Sequence, residues 1–84
     1  MSDELNLRKI RWQCRRGMLE LDIILEKFFD QQFEKLSANE KQAFVELLDR
    51  SDASLYAWLL KYEKPTNSQD EMMVKKIQSS LNLL

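Results

Sequence analysis

Apolar side chains recur at steps of three and four residues along most of the chain, which is the spacing that lines one face of an α-helix. The pattern is strongest between Met18 and Phe33, where the apolar positions are Met18, Leu21, Leu25, Phe28 and Phe29. A shorter segment before it, Asp3 to Arg16, places Leu7, Ile10 and Cys14 on one side. The pattern therefore predicts a short first helix over residues 3–16 and a central second helix that begins at Met18 and ends near Phe33.

A capping motif predicts where a third helix begins. In LSANEKQAF, the Ser37 hydroxyl can accept a hydrogen bond from the amide of Glu40, whose carboxylate can accept one from the amide of Ser37. The buried face of this helix is supplied by Phe44, Leu47 and Leu48. The polar sequence DRSD at residues 49–52 interrupts it.

Two more helices follow from caps and spacing. Ser51 or Asp52 can cap a fourth helix, whose core positions are Leu55, Trp58, Leu59 and Tyr62. Pro65 ends it, because proline disfavours helical geometry in the preceding residue and donates no backbone hydrogen bond. Ser68 and Glu71 form a second capping box, which opens a fifth helix through Met73, Ile77, Leu81 and Leu84. We expect an all-α fold, a compact bundle of about five short helices in a single domain over residues 1–84.

The composition supports this fold and excludes several kinds of chemistry. Of 84 residues, 44% are hydrophobic and 32% are charged, with one glycine and one proline, a balance typical of folded helical proteins. The chain has no histidine and one cysteine, Cys14, so it lacks a Ser-His or Cys-His catalytic pair, an intramolecular disulfide and a cysteine-histidine zinc site. We expect a protein that is not an enzyme and that binds no cofactor or metal ion tightly by itself.

Charge is nearly balanced overall but not along the chain. The net charge is −1, whereas residues 1–17 carry five basic and two acidic side chains and residues 18–84 carry eight basic and twelve acidic ones. This balance argues against strong binding to nucleic acid. No apolar run is long enough to span a membrane, and MSDELNLRK lacks the features of a secretory or organelle signal. We expect a cytoplasmic protein without membrane insertion, and a monomer.

The only glycine lies in the stretch RRGMLELD, between two arginines and two carboxylates. Helices commonly end with glycine in the left-handed conformation, after cationic side chains in the last turn. Arg15, Arg16 and Gly17 fit that description. Glu20 and Asp22 fit the first turns of the next helix, where the helix dipole favours carboxylates. An ordinary corner between two helices therefore accounts for these residue types without any function.

A basic aromatic patch precedes Gly17, and a helix corner does not require it. Trp12 lies beside a stripe of Arg8, Arg11 and Arg15, and Arg16 follows. Exposed tryptophan and arginine are frequent anchors of protein interfaces, so the patch is a candidate binding site. Two other interpretations stay open. In the first, Trp12 belongs to the core and the arginines form a solvated face. In the second, the patch contacts nucleic acid, although the small size of the patch argues against this.

The stretch KIRWQCRRGMLELD resembles the signature of the SdhE family of succinate dehydrogenase assembly factors, an R-G-x-x-E motif after a basic and aromatic helix. The motif here is Arg16, Gly17, Met18, Leu19 and Glu20. The likeness continues through LSANEKQAFVELLD, SDASLYAWLLKYEKP and EMMVKKIQ, in the family's order and over nearly the whole chain. One departure is Ala53, at a helix start where relatives often have proline.

The resemblance implies a cytoplasmic protein that binds the flavoprotein subunit of succinate dehydrogenase, and often that of fumarate reductase, and promotes covalent attachment of FAD to a histidine of that partner. FAD would then belong to the partner, in agreement with the absence of histidine and of a G-x-G-x-x-G segment in this chain. In the implied partner-binding site, Arg16 makes a forked contact, Gly17 lets the partner's backbone approach and Glu20 makes a charge-assisted contact. The surrounding positions are Lys9, Trp12, Arg15, Met18 and Asp22.

A second interpretation of the same resemblance stays open. The family has also been described as the antitoxin half of a toxin-antitoxin pair, in which this protein would oppose a small membrane protein. Either role needs only a binding surface, so the sequence does not separate them. Identification of the protein that co-purifies with this chain would do so.

Overall fold

Five α-helices account for most of residues 3–81, the range that the computed structural model of the chain describes. They are α1 (Asp3–Gln13), α2 (Leu19–Gln32), α3 (Ala38–Leu47), α4 (Asp52–Leu59) and α5 (Ser68–Ser80), with a short 3₁₀ turn, Phe33–Lys35, after α2. The same range contains no strand, so the predicted all-α fold is confirmed. None of the helices described is long and apolar enough to cross a membrane.

The core lies where α5 packs against α2, α3 and α4. Its fully buried side chains include Leu21, Leu25 and Phe28 from α2, Phe44 and Leu47 from α3, Leu55 and Leu59 from α4, and Met73 and Ile77 from α5. The ring of Phe44 lies 5.4 Å from that of Phe28 and 5.6 Å from that of Phe33, between centroids, which is a favourable separation for aromatic pairs. Each of these side chains is one that the apolar spacing predicted for the core.

Two helix starts follow the predicted capping chemistry. The Ser37 hydroxyl accepts from the amide of Glu40 at 3.2 Å, and the Glu40 carboxylate accepts from the amide of Ser37 at 2.9 Å. The predicted capping box at the start of α3 is therefore present. Ser51 rather than Asp52 caps α4, because its hydroxyl accepts from the amide of Ser54 at 3.1 Å. The Asp52 carboxylate is thereby left for another contact.

The start of α5 differs from the prediction. The capping box expected from Ser68 and Glu71 is wrong, because Ser68 is already the first helical residue. The cap is Asn67, whose side-chain oxygen accepts from the amides of Gln69 and Asp70 at 2.8 and 3.1 Å. Asparagine and serine cap helices about equally well, so residue type alone does not separate neighbouring candidates. The predicted extension of this helix to Leu84 lies outside the described residues.

Helix α4 ends at Leu59, earlier than Pro65 requires. Lys61 adopts the left-handed conformation, with a φ of 69°, and the amide of Tyr62 donates to the carbonyl of Ala57 at 2.7 Å. This is a Schellman termination, in which glycine is the usual left-handed residue. Tyr62 lies beyond the helix and is 72% exposed, so its predicted place in the core is wrong.

Candidate functional site: the corner between α1 and α2

Residues 14–18 connect α1 to α2, and we call this connection the corner. Helix α1 ends at Gln13, three residues before its predicted end at Arg16. The amides of Cys14 and Arg15 donate to carbonyls three residues back, both at 3.0 Å, which is a tighter pattern than the four-residue step of an α-helix. The corner therefore begins as a tight turn, and both of its arginines lie beyond the last turn of α1.

Gly17 has a φ of 84°, in the left-handed region that residues with a side chain rarely adopt. The left-handed conformation predicted for this glycine is confirmed. Its predicted place as the cap of the first helix is wrong, because α1 already ends at Gln13. A Cβ atom added to Gly17 would meet no atom of its own chain within 4 Å. Backbone conformation, and not crowding by the rest of the chain, accounts for glycine here.

Asp22, in the first turn of α2, holds the backbone of the corner. Its carboxylate accepts from the amide of Arg16 at 2.5 Å and from the amide of Gly17 at 3.3 Å. Its own amide donates to the carbonyl of Met18 at 2.8 Å, which starts the hydrogen bonding of α2. Asp22 lies in the first turn of α2, as predicted, and its carboxylate also holds the amides of Arg16 and Gly17.

The Arg16 side chain points into the protein and is 16% exposed. Its Nε donates to the Asp52 carboxylate at 2.7 Å. Its two terminal nitrogens donate to the backbone carbonyls of Gln13 at 3.0 Å, Leu48 at 2.7 Å and Arg50 at 2.9 Å. This arrangement differs from the forked partner contact that the resemblance implies for Arg16, because the donors of the fork are already used within the chain.

Four of the predicted site residues present their side chains to solvent, namely Lys9, Trp12, Arg15 and Glu20. Trp12 is 71% exposed, so its interpretation as a core residue is wrong. Lys9 and Glu20 are also exposed, and within residues 6–81 neither side chain makes an ion pair or hydrogen bond. Met18 is half-buried and packs against the core. The side chains that surround the corner thus offer a partner an exposed indole and charges of both signs.

Two apolar residues of α2 that sequence reasoning missed extend this surface. Leu19 is 76% exposed and Ile23 is 55% exposed. They lie one helical turn apart, on the face opposite Leu21 and Leu25, with Glu20 beside them. A pair of aliphatic residues on the outer face of an amphipathic helix is a signal that the sequence contains. We refer to Lys9, Trp12, Arg15, Gly17, Leu19, Glu20 and Ile23 together as the corner surface.

Ion pairs join α1 to α2 next to the corner surface. Arg11 donates to both carboxylate oxygens of Asp30 at 2.9 Å, and the Nε of Arg15 lies 3.7 Å from the Glu26 carboxylate. Hydrogen bonding between Arg11 and Asp30 lowers the pKa of Asp30 and raises the pKa of Arg11. Because Glu26 follows Ile23 by one turn, these pairs bring the arginine stripe of α1 beside the exposed aliphatic pair. The Arg15 side chain stays 63% exposed.

Cys14 is fully buried beside the corner, as the sequence predicts, and its thiol donates to the Ile10 carbonyl at 3.5 Å. Burial raises the pKa of the Cys14 thiol from 9.0 to about 12, which lowers its thiolate fraction near neutral pH about a thousandfold. We therefore expect iodoacetamide at pH 8 to label the folded protein at least ~100-fold more slowly than the urea-unfolded chain, as measured by mass spectrometry.

The same pKa shift has a consequence for stability. Below pH 9 the thiol is protonated in both states, whereas between about pH 9 and 12 only the unfolded chain ionises, so the contribution of Cys14 to stability is lost as the pH rises. A Cys14→Ala variant is the control that isolates this contribution from the titration of lysine and tyrosine.

The labelling experiment has its own contradicting outcome. If iodoacetamide labelled Cys14 in the folded protein as fast as in the unfolded chain, the thiol would not be buried.

The fold and the corner surface together indicate a class of protein. The described chain is a small helical bundle, and its corner surface combines an exposed tryptophan, exposed aliphatic side chains and charges of both signs. Surfaces of this composition are typical of contacts between proteins. These features favour a protein that acts by binding another protein.

Comparison with known proteins gives the family. A family described as "Flavinator of succinate dehydrogenase" matches residues 8–81, and the chain belongs to this family. It is 50% identical over 78 residues to the FAD assembly factor SdhE of Coxiella burnetii, across 93% of this chain and 95% of that protein. It is 49% identical over 74 residues to the protein of the same name in Yersinia pseudotuberculosis, across 88% and 84% of the two chains. The resemblance noted in the sequence is confirmed.

Proposed function

We propose that this protein binds the flavoprotein subunit of succinate dehydrogenase through the corner surface and promotes covalent attachment of FAD to a histidine of that subunit. The family is described as a flavinator of succinate dehydrogenase, and the relatives are named FAD assembly factors. The observation that carries the proposal is the exposure of Trp12, Gly17 and Glu20 on the corner surface, at a corner that Asp22 and Arg16 anchor from inside. We extend the proposal to the flavoprotein subunit of fumarate reductase.

Each exposed residue has a definite role in this proposal. Trp12 supplies the largest exposed side chain of the corner surface and acts as its main anchor, supported by Leu19 and Ile23. Glu20 accepts a charge-assisted hydrogen bond from the partner, because its carboxylate has no such donor within residues 6–81. Gly17 lets the partner's backbone approach where a side chain would stand in the way. The remaining contacts come from Lys9, Arg15 and the exposed part of Met18.

The chemistry of attachment belongs to the partner in this proposal. The chain has no histidine, so the accepting residue must come from the flavoprotein, which also holds FAD. Docking of the corner surface stabilises a conformation of the flavoprotein in which its histidine and the flavin are aligned. Alignment alone can lower a barrier by about 7 to 11 kcal/mol in favourable intramolecular cases. A helper therefore needs no catalytic group of its own.

Replacement of Glu20 with glutamine tests the proposal. Glutamine keeps the shape of the side chain and removes its charge, so the variant loses a charge-assisted bond worth about 1.5 to 3 kcal/mol. We expect covalent flavin on the partner to fall about tenfold or more. The gene is deleted in the host and restored with each variant, and ultraviolet fluorescence of the flavoprotein band is read on a denaturing gel. Denaturation leaves only covalently attached flavin in the band.

Glu34→Gln is the matched control, because Glu34 is also exposed and also makes no ion pair or hydrogen bond within residues 6–81. We expect it to restore the flavoprotein band as wild type does. A band of unchanged intensity in the deletion strain would contradict the proposed function. Equal restoration by Glu20→Gln and Glu34→Gln would remove Glu20 from the binding site.

A further inference from the structure

The side chain of Arg16 is engaged inside the protein, although its neighbours in the chain form the corner surface. All three nitrogens of its guanidinium donate hydrogen bonds to other residues. A planar group with partners on every nitrogen is held in one orientation, so it also restrains the backbone that carries it. That backbone leads directly into Gly17.

Three of the acceptors come from one segment, residues 48–52, which comprises the connection between α3 and α4 and the first residue of α4. This segment is itself tied to α5. The Arg50 side chain donates to both carboxylate oxygens of Asp70, at 2.8 and 3.3 Å, and Asp70 is 2% exposed. Residues 48–52 therefore form a socket for the Arg16 guanidinium, and their contact with the bundle does not depend on a partner.

We propose that Asp52 is a positioning residue of the corner surface, which acts through Arg16 to fix the backbone at Gly17 for docking. The corner is held at two points, since Asp22 accepts from its amides and Asp52 accepts from the Arg16 side chain. The link to docking rests on the proposed function. Arg16 then serves the site through its internal contacts, and the partner is recognised by the side chains around it.

If Arg16 contacted the partner directly, removal of the Asp52 carboxylate would have the opposite effect on binding from the one expected for a positioning residue. In that case Arg16 would have to leave its socket on binding, and loss of the Asp52 carboxylate would release it. Binding would then be unchanged or tighter. If Asp52 positions the corner, its loss weakens binding. The sign of the effect separates the two roles.

The first measurement uses the free protein and its amide nitrogen-hydrogen NMR spectrum. We expect Asp52→Ala to shift the amide signals of Arg16 and Gly17, and Asp52→Glu to move them back toward wild type. Glu34→Ala is the control, because Glu34 lies outside the socket, is exposed and makes no ion pair or hydrogen bond within residues 6–81. We expect its corner signals to be unchanged. An unmoved Gly17 signal in folded Asp52→Ala would overturn the inference.

The second measurement is calorimetric titration with the purified flavoprotein subunit of the host's succinate dehydrogenase. We expect about tenfold to a hundredfold weaker binding for Asp52→Ala, near wild-type binding for Glu34→Ala and partial recovery for Asp52→Glu. In an Arg16→Ala background, Asp52→Ala should cause no further loss, because both substitutions remove the same contact.

Two outcomes of the titration have separate meanings. Wild-type or tighter binding by Asp52→Ala, with binding lost in Arg16→Ala, would overturn the inference and make Arg16 a partner contact. Absence of binding by the wild-type protein would count against the proposed function alone. The amide signals of the free protein would still decide whether Asp52 holds the corner.

Discussion

Gly17→Arg is expected to weaken binding to the flavoprotein subunit more than about 100-fold while the helices stay folded. The new side chain would project from a corner where its Cβ meets no atom of its own chain within 4 Å, so it would occupy the space that the partner needs. The left-handed conformation at φ 84° costs a residue with a side chain about 1 to 2 kcal/mol, which a folded domain survives. Circular dichroism measures the fold and calorimetric titration measures binding.

Gly17→Asn separates conformation from clearance, because asparagine visits the left-handed region more readily than other residues. We expect its stability to be close to wild type and its binding to be impaired. Wild-type binding by Gly17→Asn, with loss in Gly17→Arg, would mean that a small side chain is accommodated at the corner. Wild-type binding by both variants would place the partner elsewhere on the molecule.

Phe44→Ala is expected to lower the free energy of unfolding by about 3 to 5 kcal/mol, the largest stability effect that we predict. Phe44 is fully buried, and its ring packs against those of Phe28 and Phe33. Its truncation removes apolar contacts and leaves a cavity between helices. Since a small domain has about 5 to 15 kcal/mol of total stability, much of the protein would unfold under mild conditions. Urea unfolding followed by circular dichroism measures the change.

Two control substitutions bracket this effect. Phe44→Leu keeps most of the buried volume and should cost about 1 kcal/mol. Ile23→Ala removes an aliphatic group that is 55% exposed, so it should change stability by less than about 0.5 kcal/mol. An unfolding midpoint of Phe44→Ala equal to that of Ile23→Ala would contradict the core described above. Loss of flavinylation in Phe44→Ala would reflect unfolding, whereas loss in Ile23→Ala would reflect the corner surface.

The helices could be predicted from sequence because their apolar stripes are continuous, whereas the ends of α1 and α4 and the cap of α5 could not. Helix α1 ends before Arg16, whose amide donates to a carboxylate six positions further along the chain. Helix α4 ends through a left-handed Lys61, a conformation that the residue type does not suggest. At the end of α1 a contact with the next helix overrides local preference, and at the end of α4 the backbone adopts a conformation that the residue type disfavours. Propensity and periodicity do not contain that information.

The geometry of the candidate site was only partly predictable from the sequence. The left-handed Gly17 follows from residue type, and the exposure of Trp12 was one of the alternatives that the patch allowed. The internal contacts of Arg16 could not be foreseen, since most of their acceptors lie 32 to 36 residues away in the chain. The helical periodicity places Leu19 and Ile23 together on the outer face of α2, but the larger apolar stripe with Leu21 and Leu25 on the opposite face is the stronger pattern.

The anchored corner bears on how fast a partner could be captured. Ordering a backbone residue costs about 1 to 2 kcal/mol of conformational entropy, and at the corner that entropy is lost when the chain folds. Before any encounter with a partner, Asp22 holds the amides of Arg16 and Gly17, and Asp52 holds the side chain of Arg16. Docking would then resemble the meeting of rigid surfaces, with association rates of about 10⁵ to 10⁷ M⁻¹s⁻¹ and little rearrangement on this side of the complex. The slow, shape-changing step of assembly would be left to the flavoprotein.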